Sequence, residues 1–131
     1  MAEAHWHIDP PCSPACLAEL RHWAVSWLQR HAVSIREPND VVLALTELVT
    51  NSIQHTSGPV DVSLSWDGLR LRAGVTDCSS ALPHWPPAER RVEGGRGLLI
   101  LDQLASRWGL TEHAPGGKTV WCEFMAAGPP N

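Results

Sequence analysis

The chain has 131 residues, with ten Lys or Arg against fourteen Asp or Glu and a formal charge of −4. That length suits a single domain, one that hides roughly two-thirds of the unfolded chain's surface from water. The acidic balance and the lack of any basic run argue against direct nucleic-acid binding and against docking on an anionic membrane, since both need concentrated Lys and Arg.

The first predicted element is a short strand at residues 4–8, where Trp6 and Ile8 alternate with His5 and His7. No basic leader precedes it, and no later apolar run approaches ~18 residues, so a soluble, cytoplasmic protein is expected. Ser13-Pro14 then offers an N-cap followed by proline at the first helical position. The helix it opens runs to about Ala32 and packs through Leu17, Leu20, Trp23, Ala24, Val25, Trp27 and Leu28. Cys12 and Cys16 flank its start, whereas Cys78 and Cys122 form no second tight pair, so zinc ligation is disfavoured. Reduced, mostly buried thiols are the expectation for a cytosolic chain.

"REPND" breaks the pattern, and Asn39 or Asp40 caps a second helix that continues to His55. Val60, Val62, Leu64 and Trp66 predict a strand, Asp67-Gly68 a hairpin turn, and Leu69, Leu71, Ala73 and Val75 the returning strand. Residues 78–94, with three prolines, read as a long loop; in a compact domain such a loop is a lid, a binding loop or disordered. Gly95 and Gly97 introduce a third helix, "LLILDQLA". "RWGLTEHA" and "KTVWCEF" are two further strands joined by a turn at Pro115-Gly116-Gly117, and residues 126–131 form a frayed tail. The order β-α-α-β-β-loop-α-β-β makes residues 1–125 a single α+β domain: a two-layer sandwich with a mainly antiparallel sheet and helices on one face.

The second helix raises a question of chemistry. Val41, Val42, Leu45, Leu48, Val49 and Ile53, with Ser52, fall in one arc and form its core face. Glu47, Asn51 and His55 recur at steps of four on the opposite side, beside Leu43 and Ala44. Such a line is either a solvated helix face or one wall of a site. Asp77 ends the second hairpin strand, and "GGRGL" opens a helix whose free N–H groups suit phosphate.

In this order, "ELVTNSIQH", "VTDCSS", "GGRGL" and "GGKTVW" resemble the four nucleotide-binding boxes of the GHKL, or histidine-kinase-like, ATPase superfamily. Within it, the chain is most similar to the bacterial anti-sigma-factor serine/threonine kinases, from the first strand to residue 124. The resemblance implies a Bergerat-type ATP-binding fold with ATP and Mg²⁺ as cofactors. It implies that Asn51 ligates Mg²⁺ through its amide oxygen, a hard donor that the metal accepts. Glu47 would be the general base, and His55 would line the phosphate side or cap the helix. Asp77 would accept from the adenine amino group and reject guanine, because a carboxylate cannot donate to a carbonyl. Thr119 would support that contact through a water. Gly95, Gly97 and Leu98 would form the lid against the phosphates, and Arg96 either pairs with a phosphate or points to solvent.

Two positions depart from the family pattern. Ser79 stands where the adenine box usually has glycine, which places its Cβ near the base. Leu99 stands where many relatives carry a further lid glycine. Trp85 in the long loop either covers the base or packs on its own domain or on a partner. The function implied is a partner-switching kinase that binds a sigma factor and phosphorylates an anti-anti-sigma (STAS-type) protein. The alternative is a non-catalytic module that sequesters a partner, and a third reading is a metal or redox sensor built on the cysteines. Relatives commonly form homodimers, and the exposed edge of the first strand is a candidate contact.

Overall fold

The computed structural model describes residues 1–56, 58–79, 101–113 and 116–128. Its elements are β1 (Ala2–Ile8), α1 (Pro14–Arg30), α2 (Pro38–His55), β2 (Val60–Trp66), β3 (Arg70–Asp77), β4 (Arg107–Glu112) and β5 (Lys118–Met125). Residues 101–104 are also helical and belong to the expected third helix. The strands form one sheet in the order β1-β2-β3-β5-β4, and every pairing is antiparallel. This is the expected α+β architecture.

The period of two along each strand decides what faces the helices. Leu71, Ala73 and Val75 of β3 lie beside Phe124, Cys122 and Val120 of β5, and all six are buried. Leu20, Ala24, Trp27 and Leu28 of α1 and Val41, Leu45, Leu48 and Val49 of α2 complete that core. Burying a side chain of this size contributes about 2 kcal/mol, so the layer as a whole, rather than any one strand, holds the sheet together. The opposite sheet face is polar. There Glu123 is buried despite its charge, because Arg70, Arg72 and Arg107 converge on it, with Arg107 Nε at 2.9 Å. Arg72 also lies over the Trp121 ring at 4.1 Å.

Helix ends follow local chemistry. Ser13 caps α1 as expected, its Oγ accepting from Cys16 N at 3.2 Å, with Pro14 in the first turn. The helix ends two residues before Ala32, which takes a left-handed φ of +49° while Val33 N donates to Leu28 O. That arrangement satisfies the last carbonyls and stops the helix. Helix α2 begins at Pro38, so Asn39 and Asp40 lie inside its first turn and neither caps it. Proline has no N–H to leave unpaired, which suits this position without a side-chain cap.

The hairpin turn is as predicted: Gly68 has φ +91°, and Asp67 Oδ1 accepts from Leu69 N and Arg70 N. Those bonds, Leu69 first, hold the Asp67 carboxyl below its ordinary range.

Two expectations are corrected. Cys12 and Cys16 form a disulfide rather than free thiols. The turn into α1 brings their Cα atoms to 5.3 Å, well inside bonding range, and spacing decides this more directly than composition. Cys78 is free and exposed, and Cys122 is free and buried. Ala126 and Ala127, expected to be frayed, are held to the fold, since Ala126 N donates to Leu69 O and Ala127 N to Ser34 O. Among the described residues no helix is long and apolar enough to cross a membrane, and no group of three His, Cys, Asp or Glu could hold a metal.

Candidate functional site

Helix α2 sets one wall. Leu43, Thr50 and Gln54 form its exposed stripe, while Ala44 and Ser52 are buried with the apolar residues. The buried arc is therefore centred further round than the apolar residues alone suggest, because small Ala44 faces the core. Glu47 and Asn51 are half-buried on the border of that arc, not on a solvated back. A polar side chain there is rooted against the core with its end free to reach outward. The side chain of His55 lies outside the described residues, as do Gly95, Arg96, Gly97, Leu98, Leu99 and Trp85.

Asp77 supplies the other wall. As the last residue of β3 it continues the inward set Leu71, Ala73 and Val75, so it enters the layer beneath α2 and is only 3% exposed. Sequence reasoning placed it at the end of the strand, and the strand's alternation sends it inside. An ionised carboxylate in such a place needs partners. Ser52 Oγ donates to Oδ2 at 2.5 Å, Ser79 N donates to Oδ1 at 3.0 Å, and Lys118 Nζ donates to Oδ1 at 2.8 Å and Oδ2 at 3.1 Å. Lys118 is itself only 4% exposed. The bond from Ser52 ties α2 to the end of β3, so Asn51, the preceding residue, stands at the same end of the sheet as Asp77.

Thr119 is not part of this group. It pairs with Thr76 across the β3–β5 ladder, and the two hydroxyls share a hydrogen bond of 2.6 Å on the polar face of the sheet. His113 Nε2 lies 2.7 Å from the same hydroxyl. A step of one residue along a strand changes the face. The residue opposite Asp77 is Lys118, so a lysine lies against the acid, whereas Thr119, expected to support its contact with the base, faces Thr76.

Ser79 takes part through its backbone: its N–H folds back on Oδ1 of Asp77, a tight turn that begins the segment after β3. Gly117 fixes the other side of the pair. Its φ is +102°, and a Cβ there would lie 2.7 Å from the Asp77 carbonyl oxygen. Only glycine lets the turn into β5 approach this closely. Ser52, Lys118 and Gly117 were missed as site residues. Ser52 carried one usable signal, a hydroxyl in an otherwise apolar helical arc, which must find a buried partner.

Residues 11–124 match the family model described as the histidine kinase-like ATPase domain. An uncharacterized protein of Streptomyces coelicolor, SCO4941, is 37% identical over 82 residues, covering 61% of this chain and 76% of that protein. The crystal structure of the RsbU and RsbW domains of Rv1364c from Mycobacterium tuberculosis superposes with a TM-score of 0.60 at 22% identity. That match covers 95% of this chain and 33% of the other, and at this identity it supports the fold.

Proposed function

Because this chain belongs to the histidine kinase-like ATPase family, we propose that it is an ATP-binding regulator of a partner-switching system. In this reading it is a cytoplasmic anti-sigma factor, a single domain over residues 1–125, that phosphorylates a serine or threonine of an anti-anti-sigma (STAS-type) antagonist. The observation that supports the reading is the Ser52–Asp77 hydrogen bond, which ties α2, one residue from Asn51, to the end of β3.

The residues present fit an adenine nucleotide with Mg²⁺. Asn51 offers a hard neutral oxygen from a half-buried position, and the Asp77 carboxylate, held by Ser52 and Ser79 N, would accept from the base in place of Lys118. When bound, Mg²⁺-ATP supplies the phosphoryl group that is transferred. Asn51 holds the metal. Glu47, one helical turn earlier, takes the proton of the acceptor hydroxyl. Asp77 accepts from the 6-amino group of the base while Ser52 and Ser79 N keep its carboxylate aimed. His55, Gly95, Arg96, Gly97 and Leu98 serve the phosphates, as the family's sequence boxes imply. Phosphoryl transfer is chiefly positioning and charge stabilisation, so Asn51 is asked for more than Glu47. Homodimerisation through the free edge of β1 belongs to the same reading.

The test is Mg²⁺-ATP binding followed by transfer from γ-labelled ATP to antagonists pulled down from the native host. Asn51→Ala is expected to abolish Mg²⁺-dependent binding, and Glu47→Ala to preserve binding but lose transfer. Unchanged affinity in the first variant overturns the site.

A second reading has one observation in its favour. The carboxylate of Asp77 already accepts four hydrogen bonds from the chain, about as many as its lone pairs allow. A module that sequesters its partner without nucleotide would be held shut in this way. Full partner binding by protein that takes up no nucleotide would select it.

A further inference from the structure

Lys118 has no task in the reading above, which needs Asp77 alone. A buried ion pair is seldom worth keeping for stability, since desolvating both charges costs about as much as their attraction returns. The contact is nonetheless complete. Lys118 Nζ bonds to both Asp77 oxygens, at 2.8 and 3.1 Å, and the two side chains are 5% and 1% exposed.

A carboxylate offers about four lone-pair sites and donates nothing. Ser52 Oγ takes one, Ser79 N a second, and the ammonium the remaining two. The 6-amino group of adenine is also a donor, so it reaches Asp77 only by replacing one already there. Ser79 N is main chain in the turn after β3, and Ser52 is buried, so a hydroxyl turned from the acid would be left in the apolar arc of α2. The lysine can withdraw, because its charge rides on a flexible four-carbon stem. Its root is also beside open space: Lys118 begins β5 directly after Gly116 and Gly117, and a Cβ added at Gly116 would meet nothing within 4 Å.

We propose that Lys118 is an internal competitor for the adenine amino group, so that ammonium and nucleotide hold Asp77 in turn. The proposal rests on the nucleotide-site reading and adds to it a closed state, the one in this structure, in which the chain itself occupies the acid. The departing stem vacates its volume beside the carboxylate, where the edge of the base would lie. Adenine selection is unchanged, because the group that reads the base is a lone acceptor once the lysine has left. Affinity is what changes. A charged donor holds a carboxylate more strongly than a neutral amino group does. The closed state therefore dominates without nucleotide, and the observed affinity is lowered by the fraction of open molecules.

Lys118 is the only lysine of the chain. An acetylating reagent therefore has two amine targets, that side chain and the exposed N-terminus, which peptide mass spectrometry separates. Without nucleotide, Lys118 is expected to be acetylated at least about tenfold more slowly than in urea-unfolded protein. Saturating Mg²⁺-ATP is expected to speed the reaction at Lys118 and leave the N-terminus unchanged. In titration calorimetry, Lys118→Met is expected to bind Mg²⁺-ATP at least about tenfold more tightly than the native protein, the scale of one bond from a charged donor, and still to reject GTP. Nucleotide that binds while Lys118 stays protected overturns the proposal, as does an affinity in the variant no higher than the native one. Loss of folding in Lys118→Met leaves the acetylation rates of the native protein to decide. Native protein that binds no adenine nucleotide removes the nucleotide-site reading itself, a failure distinct from a lysine that never leaves the acid.

Discussion

Gly117 is the residue on which the inner end of the sheet closes. Its φ is positive and an added Cβ would lie 2.7 Å from the Asp77 carbonyl oxygen, so Gly117→Ala meets backbone strain and a clash at once. The expected cost is about 2 kcal/mol or more. A fall in Tm of about 5 °C or more on thermal unfolding would register it. Gly116→Ala is the matched control, since a Cβ there meets nothing within 4 Å. The cysteines give a second residue-scale prediction. Burial pushes the Cys122 thiol up to about 12, whereas Cys78 is exposed. Alkylation at pH 8 without reductant should therefore modify Cys78 alone. Reduction should add Cys12 and Cys16, and Cys122 should react only on unfolding. Peptide mass spectrometry reads each site, and free Cys12 and Cys16 in unreduced protein would remove the disulfide.

At the scale of elements, β1 carries a pH-dependent clasp. His5 Nδ1 lies 2.8 Å from Asp61 Oδ2 of β2 and Nε2 lies 3.0 Å from Glu3 Oε1, and these bonds, Asp61 first, raise its pKa above 6.5. A folded-state pKa above the unfolded one means the contribution is complete below pH 6.5 and is lost as pH rises through the raised value. The ring's NMR titration midpoint should lie above 6.5 and fall in Asp61→Asn. Screening keeps the effect small, because about half of the His5 side chain is exposed.

The elements were also where the sequence was most legible. Alternation at Trp6 and Ile8, the Ser13-Pro14 start and the Asp67-Gly68 turn each reflect a local rule, and each is found where it was read. What escaped was set by tertiary neighbours. Ala44 gives no hydrophobic signal strong enough to rotate a helical wheel, yet it is fully buried and moves Glu47 and Asn51 to the border. Thr119 was assigned by motif, and register across β3 and β5 put Lys118 against Asp77 instead. Both Ser52 and Lys118 became visible as partners of Asp77 only when elements distant in sequence, α2 and β5, were brought against the end of β3.

For the whole molecule, strand order matters more than strand count. β5 lies between β3 and β4, although β4 precedes it in the chain. While a ribosome is still making residues before Lys118, β4 has no neighbour to pair with, and Asp77 has no cation. A polypeptide halted at Glu112 should therefore be a loose, protease-sensitive intermediate, even though it already contains both long helices and four of the five strand segments. Release of the final segment would then close the sheet and bring the lysine to the acid in one event, so the protein cannot complete its interior without also neutralising the carboxylate buried in it.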